Sequence, residues 1–140
     1  MRIVVDTNVF VGACLGLGAA SHVLEACLER RCQPLMGAAL LAEMEDVLGR
    51  SDLFVRSRLS ASEREELLDI YLASCQWTRI YFGWRPNLRD EGDNHLVELA
   101  VAGGASHIVT RNLRDLQQGE LGFAGLRAIS PEQFLKELTP

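Results

Sequence analysis

The sequence predicts an α/β protein, a three-layer α/β/α sandwich around a mainly parallel central sheet. Three observations lead there. Strand-like and helix-like segments alternate along the chain, as parallel strands joined by helical crossovers do. The first strand, Ile3–Asp6, is apolar without interruption up to its aspartate, as a strand covered on both faces requires. The 140 residues, 48% of them hydrophobic, suit a single domain over residues 1–140 with its own core.

The elements follow in order. Ala19–Arg30 sets Val23, Leu24, Cys27 and Leu28 at helical spacing. Gln33–Met36 reads as a short strand closed by Gly37. Ala38–Leu48 is helical, with Leu40, Leu41, Met44, Val47 and Leu48 on one side. In Ser60–Cys75 the pair Ser60 and Glu63 matches a capping box, and Leu67, Leu68, Tyr71 and Leu72 form the apolar stripe. Trp77–Phe82 alternates like a strand. Asn94–Ala102 is a helix stopped by Gly103-Gly104. His107–Thr110 and Leu126–Ile129 read as strands, and Ser130-Pro131-Glu132 opens a last helix through Leu138. No repeat, low-complexity tract or linker intervenes.

Composition narrows the function. A net charge of −5 argues against a generic polyanion binder. All basic residues except Lys136 are arginine. Arginine suits bidentate phosphate contacts, though a GC-rich genome produces the same bias. Cys14, Cys27, Cys32 and Cys75 form no C-x-x-C pair and, with His22, His95 and His107, no zinc spacing. They are expected to be reduced, packed thiols. No apolar run reaches the roughly 20 residues of a membrane helix. Met1–Asp6 lacks a signal-peptide cleavage site. The expected setting is therefore cytoplasmic, with no membrane partner.

In a parallel sheet the working site lies beyond the carboxyl ends of the strands, near the point where strand order reverses. Asp6 ends the first strand. Glu43 and Glu45 flank the apolar stripe of the Ala38–Leu48 helix at equal angles, so pattern alone does not choose between them. Asp90 and Asp93 precede the Asn94–Ala102 helix, and Asp115 follows the His107–Thr110 strand. Each acid also has a structural reading: a turn for Asp6, an N-cap for Asp93, solvated positions for Glu43 and Asp115. As a group they say more. Two carboxylates 4 Å apart repel by about 4 kcal/mol at an effective dielectric near ~20, so a cluster of them requires a cation. Oxygen-rich, histidine-free sites select Mg²⁺ or Mn²⁺, ions that activate water and support in-line displacement at phosphorus.

The segments VVDTNVF, the Glu43 helix, RDEGDNHLVELA and HIVTRNLRDL, in that order, resemble the PIN-domain nucleases over nearly the whole chain. Within that family the likeness is to stand-alone bacterial proteins of the VapC-like kind, the toxins of toxin–antitoxin pairs. The resemblance implies a metal-dependent endoribonuclease that hydrolyses RNA phosphodiester bonds. It implies Mg²⁺ or Mn²⁺ held by four acids, a homodimer, and silencing by an antitoxin protein. Carried over by position, Asp6, Glu43 and Asp93 match three of the four metal acids, which selects Glu43 over Glu45. Asp90 is an accessory acid. Asn8 matches the residue that holds the first aspartate, and Thr110 the hydroxyl beside the site. Many relatives carry Asp where this chain has Asn112, and Asp115 is the expected replacement. Arg89, Arg111 and Arg114 flank the acidic segments as candidate phosphate contacts, a position that surface arginines also occupy for solubility. Trp84 is a candidate for base stacking, with dimer or core packing the stronger reading.

Other classes fit less well. A phosphohydrolase working through an aspartyl-phosphate needs a second Asp two residues after the first, where Asn8 stands. A receiver domain needs a lysine after a late strand, and the only lysine is Lys136. A catalytically weak or silent PIN-like protein that binds RNA or a partner protein is the alternative that Asn112 favours.

Overall fold

The structure, a computed structural model, describes residues 1–80, 94–114 and 125–138. Among these, five strands form one sheet: β1 (Arg2–Val5), β2 (Gln33–Met36), β3 (Gln76–Trp77), β4 (His107–Val109) and β5 (Arg127–Ile129). Their order is β3-β2-β1-β4-β5 and every neighbouring pair is parallel. β1 is central, in register with β4 through Ile3–His107, Val4–Ile108 and Val5–Val109. Ile3, Val4 and Val5 are wholly buried, as a strand covered on both faces must be.

Six helices surround the sheet among the described residues: α1 (Thr7–Cys14), α2 (Gly18–Leu28), α3 (Ala38–Leu48), α4 (Ala61–Ser74), α5 (Asn94–Gly103) and α6 (Pro131–Leu138). A 3-10 turn, Ser51–Phe54, precedes α4. α5 lies directly on β1, β2 and β4, whereas α2 packs against α1, α4 and α6. This is the expected three-layer α/β/α sandwich. The core runs through Phe10, Leu35, Leu40, Tyr71, Leu96, Ile108 and Phe134. No single helix among the described residues is long and apolar enough to cross a membrane, and all four cysteines carry free thiols.

Three elements depart from the sequence-based expectation. The third strand covers Gln76–Trp77 rather than Trp77–Phe82, and residues 81 and 82 lie outside the described residues. Among the described residues β3 is an edge strand, with Trp77 half exposed, and short edges limit unwanted pairing. Helix α1 was not anticipated. It is buried nearly all round, so its composition shows no polar face to mark the helical period. Its Gly12 is required by close approach, since a Cβ there would lie 3.0 Å from Ala20 Cβ on α2. Helix α2 ends at Leu28, two residues before the expected Arg30.

The ends of α2 and α5 close in the same way. Ala105 N–H donates to Ala100 C=O at 2.8 Å, with Gly104 left-handed at φ 70°. Arg31 N–H donates to Ala26 C=O at 2.9 Å, with Arg30 left-handed at φ 62°. Both are Schellman-type stops. Only the first has the glycine that makes the conformation cheap.

Candidate active site at the carboxyl ends of β1 and β4

Strand order runs outward through β2 and β3 on one side of β1 and through β4 and β5 on the other. The order therefore reverses between β1 and β4, and a crevice opens beyond their carboxyl ends. Asp6 follows β1 directly, and Thr110 follows β4 directly.

Asp6 is the N-cap of α1, with extended backbone (φ −68°, ψ 152°). Its Oδ1 accepts a hydrogen bond from Thr7 N–H at 2.7 Å. Its Oδ2 accepts from the Thr110 hydroxyl at 2.7 Å and from Asn8 Nδ2 at 3.1 Å. The supporting residues are fixed in turn. Asn8 Oδ1 accepts from Arg111 N–H at 3.1 Å, and the Thr110 oxygen accepts from Asn112 N–H at 2.9 Å. The start of α1 and the loop after β4 are thus tied together around one carboxylate.

Asp6 is only 6% exposed. Burial pushes its pKa above the ordinary value of 3.8, the bond from Thr110 opposes that, and the charge of Glu43 raises it further. Donors orient this carboxylate without neutralising it. A buried charge in that condition calls for a countercharge.

Glu43 reaches the same crevice from α3. An open cleft of about 330 Å³ is lined by Asp6, Thr7, Asn8, Glu43, Val47 and Asn112, with Val11 completing its wall. Glu45, the alternative left open by pattern, faces a separate groove with Glu65 and Asp69. The Glu43 Oε2 lies 2.8 Å from Nε2 of His95 on α5. The His95 Nδ1 is buried and has no hydrogen-bond partner among the described residues. Sequence spacing excludes His95 from a zinc motif and gives it no other role. Its place two residues after Asp93, on the first turn of α5, was the available signal.

Asp6, Asn8, Glu43, Thr110 and Asn112 therefore share one site. Asp90, Asp93, Asp115, Arg89 and Trp84 lie outside the described residues. Among the described residues no three His, Cys, Asp or Glu side chains gather closely enough to hold a metal ion; Asp6 and Glu43 contribute a pair. The donor chemistry of that pair suits a hard cation: two carboxylates and the amide of Asn112 line the cleft, and one carboxylate is buried at an electrostatic cost. The Arg111 guanidinium is engaged by Glu132 of α6, at 2.6 Å to Oε2. Arg114 is exposed.

A family model described as the PIN domain matches residues 2–114. The chain belongs to the PIN-domain family. Two solved structures share its fold. One is VapBC2 from Rickettsia felis bound to a DNA fragment from their promoter, with TM-score 0.61 and 18% identity over 93% of this chain and 98% of that one. The other is PAE2754 from Pyrobaculum aerophilum, with TM-score 0.57 and 18% identity over 99% of this chain and 89% of that one. No curated protein matches the chain.

Proposed function

We propose that this PIN-domain protein is a metal-dependent endoribonuclease, the toxin of a toxin–antitoxin pair, acting as a homodimer in the cytoplasm. The observation that carries this reading is Asp6: a buried carboxylate, held by three donors, at the switch point of a parallel sheet and facing a second carboxylate. Membership of the PIN family supports nuclease chemistry. The Rickettsia felis neighbour, a VapBC assembly, supports a partner of the antitoxin kind.

In this reading Asp6 and Glu43 hold Mg²⁺ or Mn²⁺ together with Asp93 and Asp115, and Asp90 is accessory. Such an ion, when bound, lowers the pKa of a water and neutralises charge at the scissile phosphate. The protein's own contribution is orientation. Thr110, Asn8 and the Thr7 N–H fix the Asp6 carboxylate in one rotamer, so no reorganisation is needed when a ligand arrives. His95 holds Glu43 toward the cleft. Arg89, Arg111 and Arg114 are the candidates for RNA phosphate contacts, and Arg111 must exchange Glu132 for a phosphate to act so.

The test is cleavage of a mixed single-stranded RNA pool by wild type and Asp6→Asn, with Mn²⁺, Mg²⁺ or EDTA. Cleavage should require metal and fall by at least about 100-fold in the variant, the scale of losing a main electrostatic contributor. Undiminished cleavage by folded Asp6→Asn would sink the site. Failure of folded wild type to cleave under any metal condition would favour the binding role that Asn112 suggests.

A further inference from the structure

A second site lies at the opposite end of the sheet, beside the amino ends of β1 and β2. An open pocket of about 400 Å³ there is lined by three of the four cysteines, Cys27, Cys32 and Cys75, together with Arg30 and Arg31. Cys27 is in the last turn of α2, and Cys32 immediately precedes β2. Their sulfurs are 3.6 Å apart. The closure of α2 causes that approach. Arg30 N–H donates to Cys27 C=O at 3.1 Å and Arg31 N–H to Ala26 C=O, and the left-handed Arg30 reverses the chain so that Cys32 folds back onto Cys27.

The two thiols are not equivalent. The contact between the two sulfurs is the main influence holding the Cys32 thiol below its ordinary pKa; burial opposes it, and the positive charges of the amino terminus and Arg31 add to the lowering. The same contact, then burial, pushes Cys27 upward. Cys75, in the same pocket, is pushed up to about 12, chiefly by burial, and stays a thiol. Nothing in the Asp6 cleft uses these groups.

We propose that Cys27 and Cys32 form an oxidisable dithiol, a modification site whose co-substrate is a hydroperoxide. The Cys32 thiolate attacks the peroxide oxygen, the O–O bond breaks, and the departing oxygen leaves protonated as water or alcohol. Cys32 is then a sulfenic acid. The Cys27 sulfur attacks the Cys32 sulfur, the S–O bond breaks, and the hydroxyl leaves with the Cys27 proton as water. Two thiols have lost two electrons to one peroxide, and a disulfide joins the end of α2 to the start of β2. The sulfurs start 3.6 Å apart and close to the roughly 2 Å of a disulfide bond in this step.

The experiment treats the reduced full-length chain with hydrogen peroxide, then alkylates under denaturing conditions and maps the peptides. The expected product is a Cys27–Cys32 disulfide, with Cys14 and Cys75 alkylated and the change reversed by dithiothreitol. In Cys27→Ser the reaction should stop at a Cys32 sulfenic acid captured by dimedone; in Cys32→Ser, Cys27 should stay a thiol. Circular dichroism of both variants checks that they fold, and the wild-type map stands without them. Cys27 and Cys32 both remaining alkylatable, at a peroxide dose that oxidises free cysteine, would overturn the proposal. So would a Cys32–Cys75 crosslink.

Discussion

Burial works against the charge on Asp6, and the sign of that conflict is measurable. Its folded pKa lies above the ordinary 3.8, from burial first and from Glu43 in addition. The folded state therefore binds this proton more tightly than the unfolded chain does. The resulting stability is full below the ordinary pKa and is lost as pH rises through the folded pKa. Chemical denaturation without divalent metal should show the stability difference between wild type and Asp6→Asn falling across that window and levelling above it. A difference that rises instead would contradict the upward shift. At neutral pH the two proteins should agree within about 1 kcal/mol. The variant sheds an unfavourable buried charge, but its amide replaces the Oδ2 that accepts from Asn8 and Thr110.

Helix α4 shows a local rule obeyed in full. Ser60 Oγ accepts from Glu63 N–H at 3.2 Å, and Glu63 Oε1 accepts from Ser60 N–H at 2.9 Å, the capping box legible in the sequence. Ser60→Ala should cost about 1 kcal/mol, seen as a lower denaturation midpoint at unchanged slope. Gly103-Gly104 was legible only in part. Gly104 supplies the left-handed turn that stops α5. Gly103 has a separate, tertiary reason: a Cβ there would overlap Leu35 Cδ1 of β2 and come within 3.3 Å of its Cγ. Leu35 is wholly buried, so its side chain must repack within the core to make room. Gly103→Ala should destabilise by about 1–3 kcal/mol, because overpacking outweighs any gain in helix propensity. A stabilised variant in thermal denaturation would refute that reading. Helix α1 was illegible for a related reason, since a helix buried nearly all round carries little amphipathic signal.

The molecule as a whole joins residues far apart in sequence at one end of the sheet. Asp6 and Thr110 are 104 positions apart and 2.7 Å from each other. If the cleft is a cation site, occupancy should stabilise the entire fold by linkage, by about 2.7 kcal/mol at a hundredfold excess over Kd. Mn²⁺ should accordingly raise the Tm of wild type, EDTA should reverse the rise, and Asp6→Asn should show little of it. An equal rise in the variant would move the metal elsewhere.

Strand–helix alternation, the buried first strand, the acid at its tip and the capping box were readable from the chain because each is a property of neighbouring residues. Hydrophobic period and capping chemistry act over one or two turns. Which strands adjoin, and which helix faces meet across a cleft, depends on contacts between distant segments. That is why hydrophobic pattern left Glu43 and Glu45 level and the family resemblance chose Glu43, which the tertiary structure sets in the cleft with Asp6, and why only the tertiary structure paired His95 with Glu43 and engaged Arg111 with Glu132. The meeting of Cys27 and Cys32 was decided there too. Their five-residue spacing matches no motif, and a left-handed arginine at the end of α2 brings them together.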